Sequence, residues 1–172
     1  MSHSRSASAV ELVTADDVLR NLANGFDTDG VGVLANRPVI VLSLDGRPAE
    51  TELERIAREL PCVVVGVAQR DVLHRVAAEF DVMLTREESA ADPWVGVADG
   101  LEHVLEELVA SIERTPRAAV TLVQTLRIGA ALSDDEALTL ESLAYGLLQG
   151  GPEHARWLAG QRRRVRPSRP GP

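Results

Sequence analysis

The sequence predicts an α/β protein, a small parallel sheet of β-α-β units followed by a C-terminal helical region. Two continuous β-branched runs, Val39-Ile-Val-Leu-Ser-Leu44 and Cys62-Val-Val-Val-Gly-Val67, have the profile of strands buried on both faces. Helix-spaced apolar residues separate these runs, and strand, helix, strand with short links implies right-handed crossovers between parallel neighbours. Near residue 100 the pattern changes to 3.6-residue periodicity alone, so helices follow the sheet.

Taken in order, residues 1–10 are Ser-rich and aperiodic and are expected to be disordered. Thr14-Ala-Asp-Asp17 caps a short helix carrying Val18, Leu19, Leu22 and Ala23 and ending at Gly25. The stretch from Gly25 to Pro38 reads as loop, with a brief strand at Val31 to Leu34. The strand 39–44 stops at Asp45-Gly46, and Leu53, Ile56, Ala57 and Leu60 then mark a helix over Glu50 to Leu60 that Pro61 ends. After the strand 62–67 a third helix shows Val72, Leu73, Val76 and Ala77, and Asp81-Val-Met-Leu-Thr85 is a shorter third strand.

Glu87 to Asp99 is rich in turn residues. Beyond it, Leu101, Val104, Leu105, Leu108, Val109 and Ile112 form one helical face, broken at Thr115-Pro116. A second helix runs from Pro116 to Ile128, since proline suits a first helical turn. Ser133-Asp-Asp-Glu136 fits a capping box for a third, Ala137 to Leu148, and Gly150-Gly-Pro152 leads into a last short helix, Glu153 to Ala159. The organisation expected is a single domain over 11–160, with an α/β part at 11–98 and a helical part at 99–160, followed by a basic disordered tail at 161–172.

With 172 residues, 45% of them apolar, the chain can bury a core without disulfides, and its one cysteine, Cys62, excludes an internal one. All 18 basic residues are arginine. Residues 1–159 carry a net charge of −13 and the last thirteen residues carry +5. An acidic body repels nucleic acid and anionic lipid, so neither is an expected partner. No apolar run nears the ~20 residues of a membrane span, and the polar opening lacks the apolar stretch of a signal peptide, which gives a soluble, cytoplasmic expectation.

His3, His74, His103 and His154 are scattered without the i, i+4 spacing of a helical zinc pair, so no metal site is expected. Glu102, Glu106, Glu107 and Glu113 read as a solvated helix face, because mutually exposed carboxylates gain no pKa separation. There is no Walker loop, no GxGxxG after a strand and no GxSxG elbow around Ser142, which argues against nucleotide binding through a glycine turn and against a serine nucleophile. Trp94, Tyr145 and Trp157 are expected in a core or an interface.

Several segments, in this order, resemble the enoyl-CoA hydratase/isomerase (crotonase) family. Arg37-Pro-Val-Ile-Val-Leu-Ser-Leu-Asp-Gly46, the helix through Arg58-Glu-Leu60, and Pro61-Cys-Val-Val-Val-Gly-Val67 are similar to its opening strand, first helix and next strand. Phe80-Asp-Val-Met-Leu-Thr85 is similar to its short aspartate-containing strand, with Asp81 at the aspartate position. Arg114-Thr-Pro-Arg-Ala-Ala-Val120, Glu136-Ala-Leu-Thr-Leu-Glu-Ser-Leu-Ala-Tyr145 and Gly151-Pro-Glu-His-Ala-Arg-Trp-Leu158 are similar to its C-terminal helices.

The resemblance covers residues 37–160 and implies a crotonase-like spiral, an acyl-CoA ligand with no other cofactor, and oligomer contacts through the C-terminal helices. Such proteins stabilise a thioester enolate with two backbone N–H groups at glycine-rich turns. Residues 68–80, between the second and third strands, contain no glycine, and Glu87 to Asp99 is too short for the segments that carry the catalytic glutamates. The expectation is a shortened, degenerate member without its own oxyanion hole, acting with a partner.

Glu141 is the one catalytic candidate the resemblance offers, and as a residue it reads as helix surface. Arg162, Arg163, Arg164 and Arg166 are candidate contacts for coenzyme A phosphates, because guanidinium forks match phosphate oxygens, although terminal charge runs usually stay solvated. Two other readings stand beside this one: a non-catalytic oligomerising interaction or scaffold protein, and an unrelated small α/β enzyme whose site assembles only in space.

Overall fold

A computed structural model describes residues 10–14, 16–18, 20, 31–45, 56, 59–70 and 80–164, with the backbone alone for 162–164. Five strands, β1 (Leu12–Thr14), β2 (Val39–Ser43), β3 (Val63–Ala68), β4 (Val82–Thr85) and β5 (Val95–Gly96), form one sheet. Every adjacent pair is parallel and the spatial order is the sequence order. Four helices follow: α1 (Leu101–Arg114), α2 (Pro116–Gly129), α3 (Asp134–Gln149) and α4 (Pro152–Arg164).

The sheet advances in one direction only. Crossovers of one hand that always step the same way leave their connections on the same face of the sheet. The packing follows this rule. Val18 and Val31 from the β1–β2 link, Ile56 and Leu60 from the β2–β3 link, Phe80 before β4 and Trp94 before β5 share one core with Ile40, Leu42, Val64 and Met83. The alternate strand residues Val41, Val63, Val65, Val67 and Leu84 point the other way, as the period of two requires, and are covered by Leu101, Leu105 and Ile112 of α1 and by Val123. All six residues of β3 are buried, which explains why it reads as an unbroken apolar run.

At the start of β4 the Asp81 carboxylate accepts the Val64 N–H at 2.7 Å while the Asp81 N–H donates to the Val64 carbonyl at 3.1 Å, clamping β3 to β4. Gly96 lets β5 close the sheet, because a Cβ there would lie 2.4 Å from the Glu87 carbonyl oxygen. The chain divides into two compact units, Met1–Val123 and Gln124–Pro172. In the first, α1 and the first half of α2 belong with the sheet; in the second, α3 and α4 pack on each other. Ser133 and Glu136 form the expected capping box, the Glu136 carboxylate accepting from the Ser133 N–H at 3.0 Å and from its hydroxyl at 2.6 Å.

Several expectations need correction. The sheet has five strands among the described residues, where the sequence reading has three main runs and a brief strand at Val31 to Leu34. β1 escapes the sequence reading because it is three residues long and ends on the residue that caps the next helix: Thr14 Oγ1 accepts the Asp17 N–H at 3.2 Å. β5, two residues inside the turn-rich segment, escapes for the same want of length. Val31 to Leu34 is a tight turn closed by mutual bonds of 2.8 and 3.0 Å between Gly32 and Arg37, with Asn36 at φ +57°. α3 begins at Asp134, since acids suit a first helical turn, and α4 continues to Arg164, so residues 161–164 are helical and not part of a disordered tail. The helix expected at Val72 to Ala77, most of that over Glu50 to Leu60, and residues 1–9 and 165–172 lie outside the described residues.

Two substitutions test this packing. Gly96→Ala forces a Cβ against backbone and should destabilise the fold by roughly 1–3 kcal/mol, whereas Gly160→Ala, inside α4 with open space around it, should be neutral or stabilising by up to about 1 kcal/mol. Urea midpoints read both.

The Ser133 hydroxyl and then its N–H hold the Glu136 carboxyl below its ordinary value of 4.5. A depressed native pKa contributes stability above the unfolded value and loses it as pH falls through the native one. Helicity of α3 should therefore decline in acid below 4.5, and Glu136→Ala should remove that part of the acid dependence in a circular dichroism titration.

Candidate functional site

In open α/β sheets ligands sit beyond the carboxyl ends of the strands, where the strand order reverses and opens a crevice. Here the order never reverses. Four backbone donors described at that end are engaged by the chain itself. The Leu44 N–H donates to the Val67 carbonyl at 2.9 Å, Gln69 to the Asp45 carboxylate at 2.8 Å, Glu87 to Thr85 Oγ1 at 3.3 Å and Val97 to the Thr85 carbonyl at 2.7 Å. Thr85 is fully buried in this role, and Arg86 is paired with Glu102 at the start of α1. The Glu102 carboxyl is held below its ordinary value by its own backbone N–H and by the Arg86 guanidinium. Among the described residues these N–H groups at the carboxyl end of the sheet are therefore taken up by the chain's own acceptors.

A concave feature among the described residues of the first unit lies between the β1–β2 edge and α1. It is a groove of about 470 Å³ whose apolar lining includes Val10, Val39, Val41 and Val109, all on the α1 side of the sheet. Its rim carries Glu11, Arg37, Glu106 and Glu113. Helical spacing explains the α1 side. Leu101, Leu105, Val109 and Ile112 turn to the sheet, and the adjoining row Glu106, Ala110, Glu113 borders the opening. Arg37 and Glu11 lie 3.8 Å apart across the mouth, both well exposed. Three carboxylates against one guanidinium make the rim acidic, which disfavours the phosphates of an acyl-CoA and favours a cationic ligand with an apolar side.

Of the residues singled out from sequence, Glu141 is exposed on α3, and its neighbours one turn away, Ala137, Leu138, Ala144 and Tyr145, include no second acid. A hydratase needs two carboxylates in concert. The backbone of Arg162, Arg163 and Arg164 forms the last turn of α4, and Arg166 lies outside the described residues. His103 is exposed beside Glu107, and His154 stacks on Trp157 while its Nδ1 meets the Gln149 carbonyl at 2.9 Å. Among the described residues no group of three His, Cys, Asp or Glu side chains is placed to hold a metal, and no helix is long and apolar enough to cross a membrane. Trp94 is buried, whereas Tyr145 and Trp157 are 65% and 58% exposed and so are not core residues of the isolated chain.

Sequence reasoning missed the groove. Glu106 and Glu113 were legible as acids seven residues apart on one helix, but their opposite wall is β1, the strand that the sequence hides. Neither a protein-family model, nor a curated protein, nor a solved structure matches this chain.

Proposed function

We propose that this chain keeps the framework of a crotonase-like spiral without its chemistry, and serves as a self-assembling subunit whose helices α2 to α4 are covered by a second copy. The observation that carries this reading is α3. Its apolar residues Ala137, Leu138, Leu140, Leu143, Ala144, Tyr145, Leu147 and Leu148 spread over roughly 220° of the helix at 100° per residue, yet none is buried. A surface helix needs a stripe of only about 100°, and one that is apolar most of the way round belongs inside a core. Leu126, Ile128, Leu132, Trp157 and Leu158 add exposed apolar area in the same unit. A patch of this size on a lone chain marks an association surface. A second copy supplies an identical apolar row, so α3 can pair with α3 in the isologous contact that two-fold dimers use.

The one-way parallel sheet, with its crossovers on one face and a helix on the other, supports the spiral. The four described donors engaged at the carboxyl end of the sheet, and the lack of a second acid one turn from Glu141, support a reading without hydratase chemistry.

Light scattering at micromolar concentration should give a species of at least twice the 18.5 kDa chain mass, insensitive to salt, and Leu143→Glu with Leu147→Glu should return it to the monomer. A wild-type monomer would end the assembly reading. Purified protein should leave the enone absorbance of crotonyl-CoA unchanged, with or without Glu141→Gln. Turnover near the usual enzymic range of about 1 s⁻¹ or above, lost in that variant, would restore the catalytic reading.

A further inference from the structure

We infer that the groove between β1, β2 and α1 is a docking site for the basic C-terminal segment of a second copy of this chain. The inference rests on the self-association proposed above but concerns a different contact.

The groove asks for a ligand with cations on one side and apolar groups on another. Its rim acids Glu106 and Glu113 stand seven residues apart on α1, about 10 Å at 1.5 Å per residue, and valines form the floor between α1 and the sheet. The chain itself contains such a ligand, in Arg166-Pro-Ser-Arg-Pro170. Arg166 and Arg169 each precede a proline, and a residue before proline favours extended or polyproline II backbone.

Polyproline II has three residues per turn and rises about 3.1 Å per residue, which sets Arg166 and Arg169 in one row about 9 Å apart. Pro167 and Pro170 form a second row. The cation row matches the spacing of the two rim carboxylates, and the proline row suits the valine floor. A segment that its prolines bias toward polyproline II loses little ordering entropy on docking in an apolar groove, a recognition mode in wide use.

Charge favours the same occupant. The first 159 residues are net −13 and the last thirteen net +5, so attraction runs from the tail of one copy to the body of another. Arg37 offsets one of the rim acids, with an ion pair to Glu11 at 3.8 Å, and one guanidinium against three carboxylates leaves the rim acidic.

The test uses the full chain carrying Arg166→Gln and Arg169→Gln as receptor, so that its own segment does not compete, and a fluorescent peptide of residues 161–172 as probe. Anisotropy should show saturable micromolar binding. Adding Glu106→Gln and Glu113→Gln to the receptor should weaken it about tenfold, as two partly exposed ion pairs would. High salt should weaken it similarly, as should Pro167→Ala with Pro170→Ala in the peptide. Non-saturable binding, or equal affinity for the Glu106 and Glu113 variants, would overturn the inference. Light scattering of the same receptor separates the two proposals. Association that persists while peptide binding fails removes only the groove, and peptide binding by a strictly monomeric receptor removes only the α3 contact.

Discussion

The two-sided burial of β3 is the constraint on which the rest of this molecule depends. A central parallel strand with every residue buried needs cover on both faces, and the one-way order of the strands lets the crossovers supply only one. The other face falls to α1, whose Leu101, Leu105 and Ile112 are buried because the valines of β2 and β3 lie beneath them. From that placement follow the Arg86–Glu102 pair at one end of the helix and the groove at the other. With α1 and the first half of α2 committed to the sheet, the remaining helices form their own unit and retain exposed apolar residues.

The same constraint shapes the carboxyl end of the sheet. A sheet that reverses its order opens a crevice at its carboxyl end, and the described strand order has no reversal. Among the described residues Asp45 accepts the Gln69 N–H and Thr85 accepts those of Glu87 and Val97 at this end. Concavity and charge are found instead on the α1 face, and apolar surface on the second unit.

Legibility in the sequence followed length and burial. β2, β3 and β4 could be read to within a residue because their side chains face a core, and α1, α2 and the Ser133 capping box because periodicity and a specific hydrogen-bond pair leave marks in sequence. β1 and β5 could not, since two or three residues carry no period. The extent of α4 was hidden by its arginines, which look like a solvated tail yet are good helix formers. The sequence also gave no hint of the groove, because a cavity depends on which strand stands opposite a helix face, and that strand was β1. The exposure of α3 was legible in part: its apolar excess is visible in the sequence, but its lack of cover within the chain is not.

The central claim, that the apolar helices of the second unit are covered by another copy, is tested most directly on the chain's own two tryptophans. Trp94 is 4% exposed and Trp157 is 58% exposed in the single chain. Acrylamide quenching of the wild-type protein, followed from nanomolar to tens of micromolar concentration, should show Trp94 shielded throughout. Trp157 should pass from accessible to shielded as the copies associate. A Trp157 population that stays fully quenchable at every concentration would contradict the account.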